Sequence, residues 1–163
     1  RFLTGDLVRE VLAVSDAERV VDLYAGVGLF ACAMAARGAE VVAVEGDRSS
    51  AADLRANAGR WASTLRVVRD AVEHVMDPKP DPAPDVVVLD PPRSGVSKEA
   101  LTGLAGWRAP RLVYVSCDPA TLARDAARLT AAGYALTSIA GFDLFPATPH
   151  VETMAVFDLG GAS

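Results

Sequence analysis

Cysteine is scarce in this chain of 163 residues: only Cys32 and Cys117 are present. Two thiols cannot staple a small secreted scaffold. Without any Cys-x-x-Cys spacing, zinc and iron–sulfur clusters have no ligand set, and no metal is expected. A reducing, cytoplasmic setting follows. Also missing are an uninterrupted apolar run of roughly 20 residues and a charged-then-apolar leader, so neither a membrane-spanning helix nor a secretion signal is expected. Positive charge is in deficit, with 16 Lys and Arg against 21 Asp and Glu and a net charge of −5. That excludes bulk electrostatic attraction as the main grip on nucleic acid. There is no internal repeat, and the only low-complexity stretch is Asp77–Pro84, whose prolines forbid helix and make it a surface connector. The chain opens at Arg1 without a methionine, which suggests a piece of a longer protein.

What is abundant is apolar residue, 51% of the chain, beside an ordinary 23% charged. A chain of this length can bury a core as a single domain without covalent staples. Short β-branched runs at Arg19–Leu23, Glu40–Glu45, Leu65–Arg69, Asp85–Asp90 and Arg111–Ser116 read as buried strands. Helical segments separate them: one after Gly28 that stops at Gly38, one over Ser49–Gly59, and one opened by Asp118-Pro119 and closed by Gly133. Such alternation predicts a parallel sheet with helices on both faces. Tyr134–Phe142 and Thr153–Leu159 break the rhythm, being strand-like runs joined only by a short proline-containing loop, hence an antiparallel hairpin. The expected fold is therefore α/β: a Rossmann-like, mostly parallel seven-stranded sheet whose last strand is reversed, as in class I methyltransferases. Ordinary dinucleotide-binding domains lack that reversal.

Asp22-Leu23-Tyr24-Ala25-Gly26-Val27-Gly28 runs from a strand through a glycine turn into a helix. Glycines let the backbone approach a ligand closely, and the helix N-terminus presents unpaired N–H groups. Glu45, ending the next strand, can accept both hydroxyls of a ribose. The pattern is shared, since Gly26-x-Gly28-x-x-Ala31 also fits a relaxed dinucleotide fingerprint, and the glycines could simply make a tight turn. Asp22 favours S-adenosylmethionine over a dinucleotide, because a carboxylate there suits an ammonium and would repel a pyrophosphate. Asp70, after the third strand, stands either against an adenine or as a helix cap.

Two later motifs carry the chemistry. Leu89-Asp90-Pro91-Pro92-Arg93-Ser94-Gly95 puts a stiff polar loop at the carboxyl end of the fourth strand, where open α/β sheets hold their ligands. Methyltransferases of exocyclic amines carry an aromatic residue after Asp-Pro-Pro to stack on the target base; here the position holds Arg93, which disfavours amine methylation. Val115-Ser116-Cys117-Asp118-Pro119 places a cysteine after a buried strand and before a helix N-terminus, whose dipole favours the nucleophilic thiolate. Cys32, inside a helix of small residues, reads instead as a core thiol. His150-Val151-Glu152-Thr153 lies in the approach to the last strand among Phe142, Phe145, Pro146 and Pro149. Glu152 beside apolar residues can serve as a general base, although an acid at the start of a strand is also common surface. His150 has no assigned role.

The ordered set Asp-Leu-Tyr-Ala-Gly-Val-Gly, Val-Glu-Gly-Asp, Leu-Asp-Pro-Pro-Arg-Ser-Gly, Val-Ser-Cys-Asp-Pro-Ala-Thr-Leu-Ala-Arg-Asp and Pro-His-Val-Glu-Thr closely resembles the RNA uracil-5-methyltransferases from about Val20 to Leu159. These enzymes make 5-methyluridine in 23S ribosomal RNA and in transfer RNA, and the cysteine and tail motifs look nearer the ribosomal-RNA branch. The resemblance implies Cys117 as nucleophile and Glu152 as base. It implies Tyr24, Glu45 and Asp90 as cofactor-binding positions, with Gly26 and Gly28 shaping the loop. Under it the thiolate adds to carbon 6 of a flipped or single-stranded uracil, activating carbon 5 for the methyl group of S-adenosylmethionine. The family's Phe-x-Gln-x-Asn segment and N-terminal RNA-binding domain are missing, which would explain the acidic balance. The expected partner is RNA, ribosomal before transfer, with the protein acting as a monomer. Rival readings are RNA cytosine-5 methylation, a nicotinamide-dependent oxidoreductase, and an inactive cofactor-binding RNA module.

Overall fold

A computed structural model describes residues 2–143 and 151–160. Its seven strands are β1 (Arg19–Leu23), β2 (Glu40–Val44), β3 (Leu65–Val68), β4 (Val86–Leu89), β5 (Arg111–Ser116), β6 (Tyr134–Phe142) and β7 (Glu152–Leu159). They form one sheet in the order β3-β2-β1-β4-β5-β7-β6. The pairs among β1 to β5 are parallel, and β7 alone is reversed, slotted between β5 and β6 and antiparallel to both. The expected strand reversal is present, and the hairpin partner β6 becomes the sheet edge.

Side-chain alternation explains why both faces are covered. Val86, Val88, Val113, Val115, Met154 and Val156 point into one apolar layer, under α1 (Phe2–Val14), α2 (Leu29–Ala35) and α3 (Arg48–Ala58), which contribute Val11, Phe30, Met34 and Leu54. Val87, Leu89, Leu112, Tyr114, Ala155 and Phe157 point into the other, under α4 (Lys98–Trp107) and α5 (Pro119–Ala131), which contribute Leu104, Trp107, Leu122 and Leu129. A strand buried on both faces cannot show the alternating polarity of a surface strand, hence the continuous run Val-Val-Val-Leu in β4.

Strand ends fall within one residue of those read from the sequence. The third expected helix starts as predicted: the Asp118 carboxylate accepts hydrogen bonds from the amides of Ala120 and Thr121, and Pro119 is the first helical residue. Helices α1 and α4 have no counterpart in the sequence reading. The α4 cap is ordinary, Ser97 accepting from the Ala100 amide, but Gly103 and Gly106 lower the helix propensity of its interior.

Those two glycines make opposite predictions. A Cβ at Gly106 would meet nothing within 4 Å, whereas one at Gly103 would lie 2.4 Å from Met76 Cβ. Gly106→Ala should stabilise the fold by up to about 1 kcal/mol through helix propensity. Gly103→Ala should destabilise it by about 1–3 kcal/mol through overpacking. Urea unfolding of the two single variants checks the signs; equal signs would contradict this packing.

Candidate active site

The carboxyl ends of the parallel strands gather the polar residues singled out from the sequence, and strand alternation sorts them. Val20, Ala43, Val88, Val115 and Met154 face the α1–α3 layer. Two residues further along each chain direction that leads to this edge, the same parity is held by Asp22, Glu45, Asp90, Cys117 and Glu152. Asp22 feels the charges of Asp90 and Glu45, and Asp90 feels that of Glu152.

Strand register brings the ends of two motifs together. The β5–β7 ladder pairs Arg111 with Asp158 and continues without a shift to Ser116 opposite Thr153. The next residues along the two chains are Cys117, in the bend after β5, and Glu152, the first residue of β7. Both are partly exposed, so neither is sealed in the core. On its other side Glu152 pairs with Phe142 of β6, which packs on the apolar layer. Beside Cys117, Ser116 Oγ accepts from the Asp118 amide and donates to the Asp118 carbonyl, pinning the strand-to-helix corner. Phe145, Pro146, Pro149 and His150, read as the aromatic and proline-rich approach to Glu152, lie outside the described residues.

The glycine loop divides its labour. At Gly28 (φ +94°) a Cβ would strike Leu54 Cδ1 at 2.5 Å and Cys32 Sγ at 3.0 Å, so that glycine serves helix packing. At Gly26 (φ +55°) a Cβ would meet nothing within 4 Å, leaving open space at the crevice. The Gly26 amide donates to Glu45 Oε2 at 2.8 Å, and the Asp47 amide donates to Glu45 Oε1 at 2.6 Å. Glu45 is thus oriented by main chain, with lone pairs to spare for a ligand hydroxyl.

Asp22 is the anomaly. It is wholly buried, and neither carboxylate oxygen has a hydrogen-bond partner. Loss of hydration, then the charges of Asp90 and Glu45, push its pKa up to about 8; the nearby Ala31 amide opposes this without reaching bonding geometry. Asp90 is pushed up to about 6 by partial desolvation and by Glu152. Water still reaches Asp90, which fits its smaller rise. Two carboxyl groups raised together, Asp22 and Asp90, suit a positive ligand and disfavour a polyphosphate. The Cys32 thiol, in α2, is pushed up by burial and by Asp22, which keeps it in the unreactive protonated form.

Two nominated residues stand apart. Tyr24, at φ +61°, turns its side chain to the opposite face, where it packs on the α4–α5 layer. Asp70 is exposed; its Oδ1 lies 2.8 Å from His74 Nδ1 and accepts from the Ala71 amide, and these contacts hold its pKa low. It sits next to Gly46, just past Glu45. One residue escaped the sequence reading: Asp125 of α5, fully buried and bonded to the loop after β4. The signal was an acid in the apolar stripe Leu122–Asp125–Leu129. A cavity of about 390 Å³ lined by Arg19, Glu40, Thr64 and Pro82 lies at the amino ends of β1 to β3, the wrong edge for ligand chemistry in such sheets.

The strand order, the lone reversed strand and the acidic crevice at the carboxyl edge define a class I methyltransferase fold. Comparison with known proteins narrows the class. The sequence model described as tRNA (Uracil-5-)-methyltransferase matches residues 81–158. The 23S rRNA (uracil(1939)-C(5))-methyltransferase RlmD of Halomonas elongata is 45% identical over 89% of this chain and 30% of its own length. An uncharacterized RNA methyltransferase of Thermosynechococcus vestitus is 42% identical over 91% of this chain and 33% of its own. Among solved structures, the tRNA (uracil-54, C5)-methyltransferase of Pyrococcus abyssi, in complex with S-adenosyl-L-homocysteine, superimposes with a TM-score of 0.85 at 32% identity, covering 94% of this chain and 38% of that one. The chain belongs to the RNA uracil-5-methyltransferase family, and it spans about a third of the length of the curated relatives it matches.

The buried acid has a pH signature. The folded pKa of Asp22, near 8, is above that of the unfolded chain, so between about pH 4 and pH 8 only the folded state keeps this proton. The stability it contributes is complete below about pH 4 and is lost as pH rises toward 8. Asp22→Asn should therefore match the wild type near pH 4 and become progressively the more stable of the two up to pH 8, by paired urea titrations. A constant difference across that range would refute the buried, unpaired carboxylate.

Proposed function

We propose that this chain is the catalytic domain of an enzyme that transfers a methyl group from S-adenosylmethionine to carbon 5 of a uridine in RNA. The observation that supports the reading is the β5–β7 register, whose last pair, Ser116 with Thr153, leaves Cys117 and Glu152 as the next residues on the two chains at the acidic edge of the sheet. The crevice suits the cofactor: Asp22 and Asp90 have raised pKa values that a bound sulfonium and ammonium would bring back down, Glu45 is oriented for ribose hydroxyls, and Gly26 leaves room for close approach. Asp70 is the candidate for the adenine end. The same charges disfavour a nicotinamide dinucleotide, whose pyrophosphate would face them.

When bound, S-adenosylmethionine supplies an electrophilic methyl group. Carbon 5 of uracil is too weak a nucleophile to take it directly, so the Cys117 thiolate adds to carbon 6 and makes an enolate that is nucleophilic at carbon 5. Once carbon 5 is methylated, Glu152 removes its remaining proton, and the electron pair of that C–H bond expels the Cys117 sulfur from carbon 6. Glu152 pairs with Phe142 in the β6–β7 ladder, and Asp90 feels its charge, which puts it at the same edge of the sheet. Cytosine-5 enzymes commonly carry a second cysteine in the fourth-strand motif, and Asp90-Pro91-Pro92-Arg93 has none.

The substrate we favour is 23S ribosomal RNA, because relatives so named reach 45% identity whereas the tRNA enzyme stands at 32%. The acidic balance then assigns RNA affinity to parts of the full-length protein beyond this domain, acting as a monomer in the cytoplasm. Among the described residues no helix is long and apolar enough to cross a membrane.

Glu152→Gln should trap an RNA–protein adduct that survives denaturing gels, whereas Cys117→Ala should give none. The assay uses the full-length protein and ribosomal or transfer RNA lacking 5-methyluridine. No adduct with either RNA would overturn the covalent route. Calorimetry should in turn show binding of S-adenosylhomocysteine and none of NAD. Cofactor binding without methyl transfer would identify an inactive RNA module instead.

A further inference from the structure

Two motifs far apart in sequence touch through a set of contacts with no part in the chemistry above. Asp125, two turns into α5, is fully buried. Its Oδ2 accepts from the Val96 amide at 2.9 Å and from the Tyr114 hydroxyl at 2.8 Å. Its Oδ1 lies 2.9 Å from the Arg124 guanidinium and 3.5 Å from that of Arg128. Arg124 also donates to the Ser94 carbonyl at 2.9 Å, and Thr121 Oγ1 donates to the Arg93 carbonyl at 3.0 Å. The approach is so close that a Cβ at Gly95 (φ +76°) would lie 2.2 Å from Thr121 Cγ2 and 2.6 Å from Asp125 Oδ2.

We propose that Thr121, Arg124 and Asp125 are positioning residues that clamp the loop of Asp90 and Arg93 onto the helix that begins beside Cys117, and so fix the spacing between nucleophile and cofactor-facing carboxylate. The inference rests on the function proposed above. The contacts reach only main-chain atoms of residues 93, 94 and 96, which is how a loop is held in shape whatever its own side chains do. They all issue from the first two turns of α5, whose N-terminus follows Cys117 directly. Burial and the bond to Asp125 push the Tyr114 hydroxyl well above the usual tyrosine range, so it stays a donor at neutral pH. The carboxylate is therefore answered from every side and has one stable position. Since misplacement of a reacting group by about 1 Å can cost on the order of 100-fold in rate, a clamp this far from the chemistry can still govern it.

The test is the full-length double variant Thr121→Val, Arg124→Met, which breaks both carbonyl contacts and the Arg124 pair with Asp125, and leaves Asp125 its contacts with Val96, Tyr114 and Arg128. The variant should melt within about 4 °C of the wild type and bind S-adenosylhomocysteine within about twofold. Amide exchange across residues 93–97 should quicken at least tenfold. The kcat should fall about 10–100-fold with little change in the KM for cofactor. Thr121→Ser, which keeps the hydroxyl, should recover most of the loss seen with Thr121→Val alone. Unchanged loop exchange would overturn the clamp, and quickened exchange with unchanged kcat would overturn its link to catalysis. A parallel fall in melting temperature, affinity and kcat would mark a merely structural role. If the wild type itself transfers no methyl group, the functional reading has failed, and the exchange measurement still decides the clamp.

Discussion

The register of β7 against β5 is the constraint on which the candidate site depends. Side chains alternate along a strand, so a slip of one residue would turn Glu152 to the other face, away from the edge that Asp90 and Asp22 share. What prevents the slip is burial on both faces: Met154 and Val156 fill one layer while Ala155 and Phe157 fill the other. Exchanging them would force a phenylalanine into space shaped for a valine. At the far end of the ladder, Arg111 donates to Asp158 through Nε at 2.6 Å and Nη2 at 3.1 Å, and Thr137 adds a third donor. A half-exposed ion pair contributes little stability. Its value here is geometric, since only one register lets it form.

A second constraint is electrostatic. Five aspartates have partners that hold their pKa down: Arg19 for Asp85, Arg111 for Asp158, His74 for Asp70, and helix amides for Asp47 and Asp118. Asp22 and Asp90 go the other way, raised together at one edge of the sheet. Such an arrangement weakens the fold at neutral pH, and sequences optimised for stability alone would replace it with apolar residues. Its presence at the edge where α/β sheets hold ligands is the physical ground for expecting a cationic one.

The parts legible in the sequence were those governed by local rules. Strands buried on both faces left uninterrupted β-branched runs, and Asp118-Pro119 carried both halves of a helix start. Glu45 and Asp90 were placed simply by ending strands. The less legible parts depend on neighbours in space. Helix α1 lacks any acidic residue in its first turn or basic residue in its last, and α4 contains two glycines, one of them demanded by Met76 on another segment. Tyr24 stood in a ligand-loop motif, yet its positive φ just past the end of β1 breaks the alternation and takes its ring to the far face. Asp125 looked like one more acid on an amphipathic helix, because its partners lie 29 and 11 residues away.

Those distant partners also bear on why Asp-Pro-Pro-Arg-Ser-Gly and Cys-Asp-Pro-Ala-Thr-Leu-Ala-Arg-Asp occur together in one chain. The first motif needs Gly95 because the second brings Thr121 and Asp125 against it; the second needs a buried acid because the first presents the bare amide of Val96. Neither requirement is chemical in the sense that Cys117 and Glu152 are. A larger residue at 95 would push the loop off the helix, and loss of the acid would leave Val96 and Tyr114 without an acceptor. Each motif therefore restricts the other through packing. The residues that would perform the reaction are held by residues that never touch it.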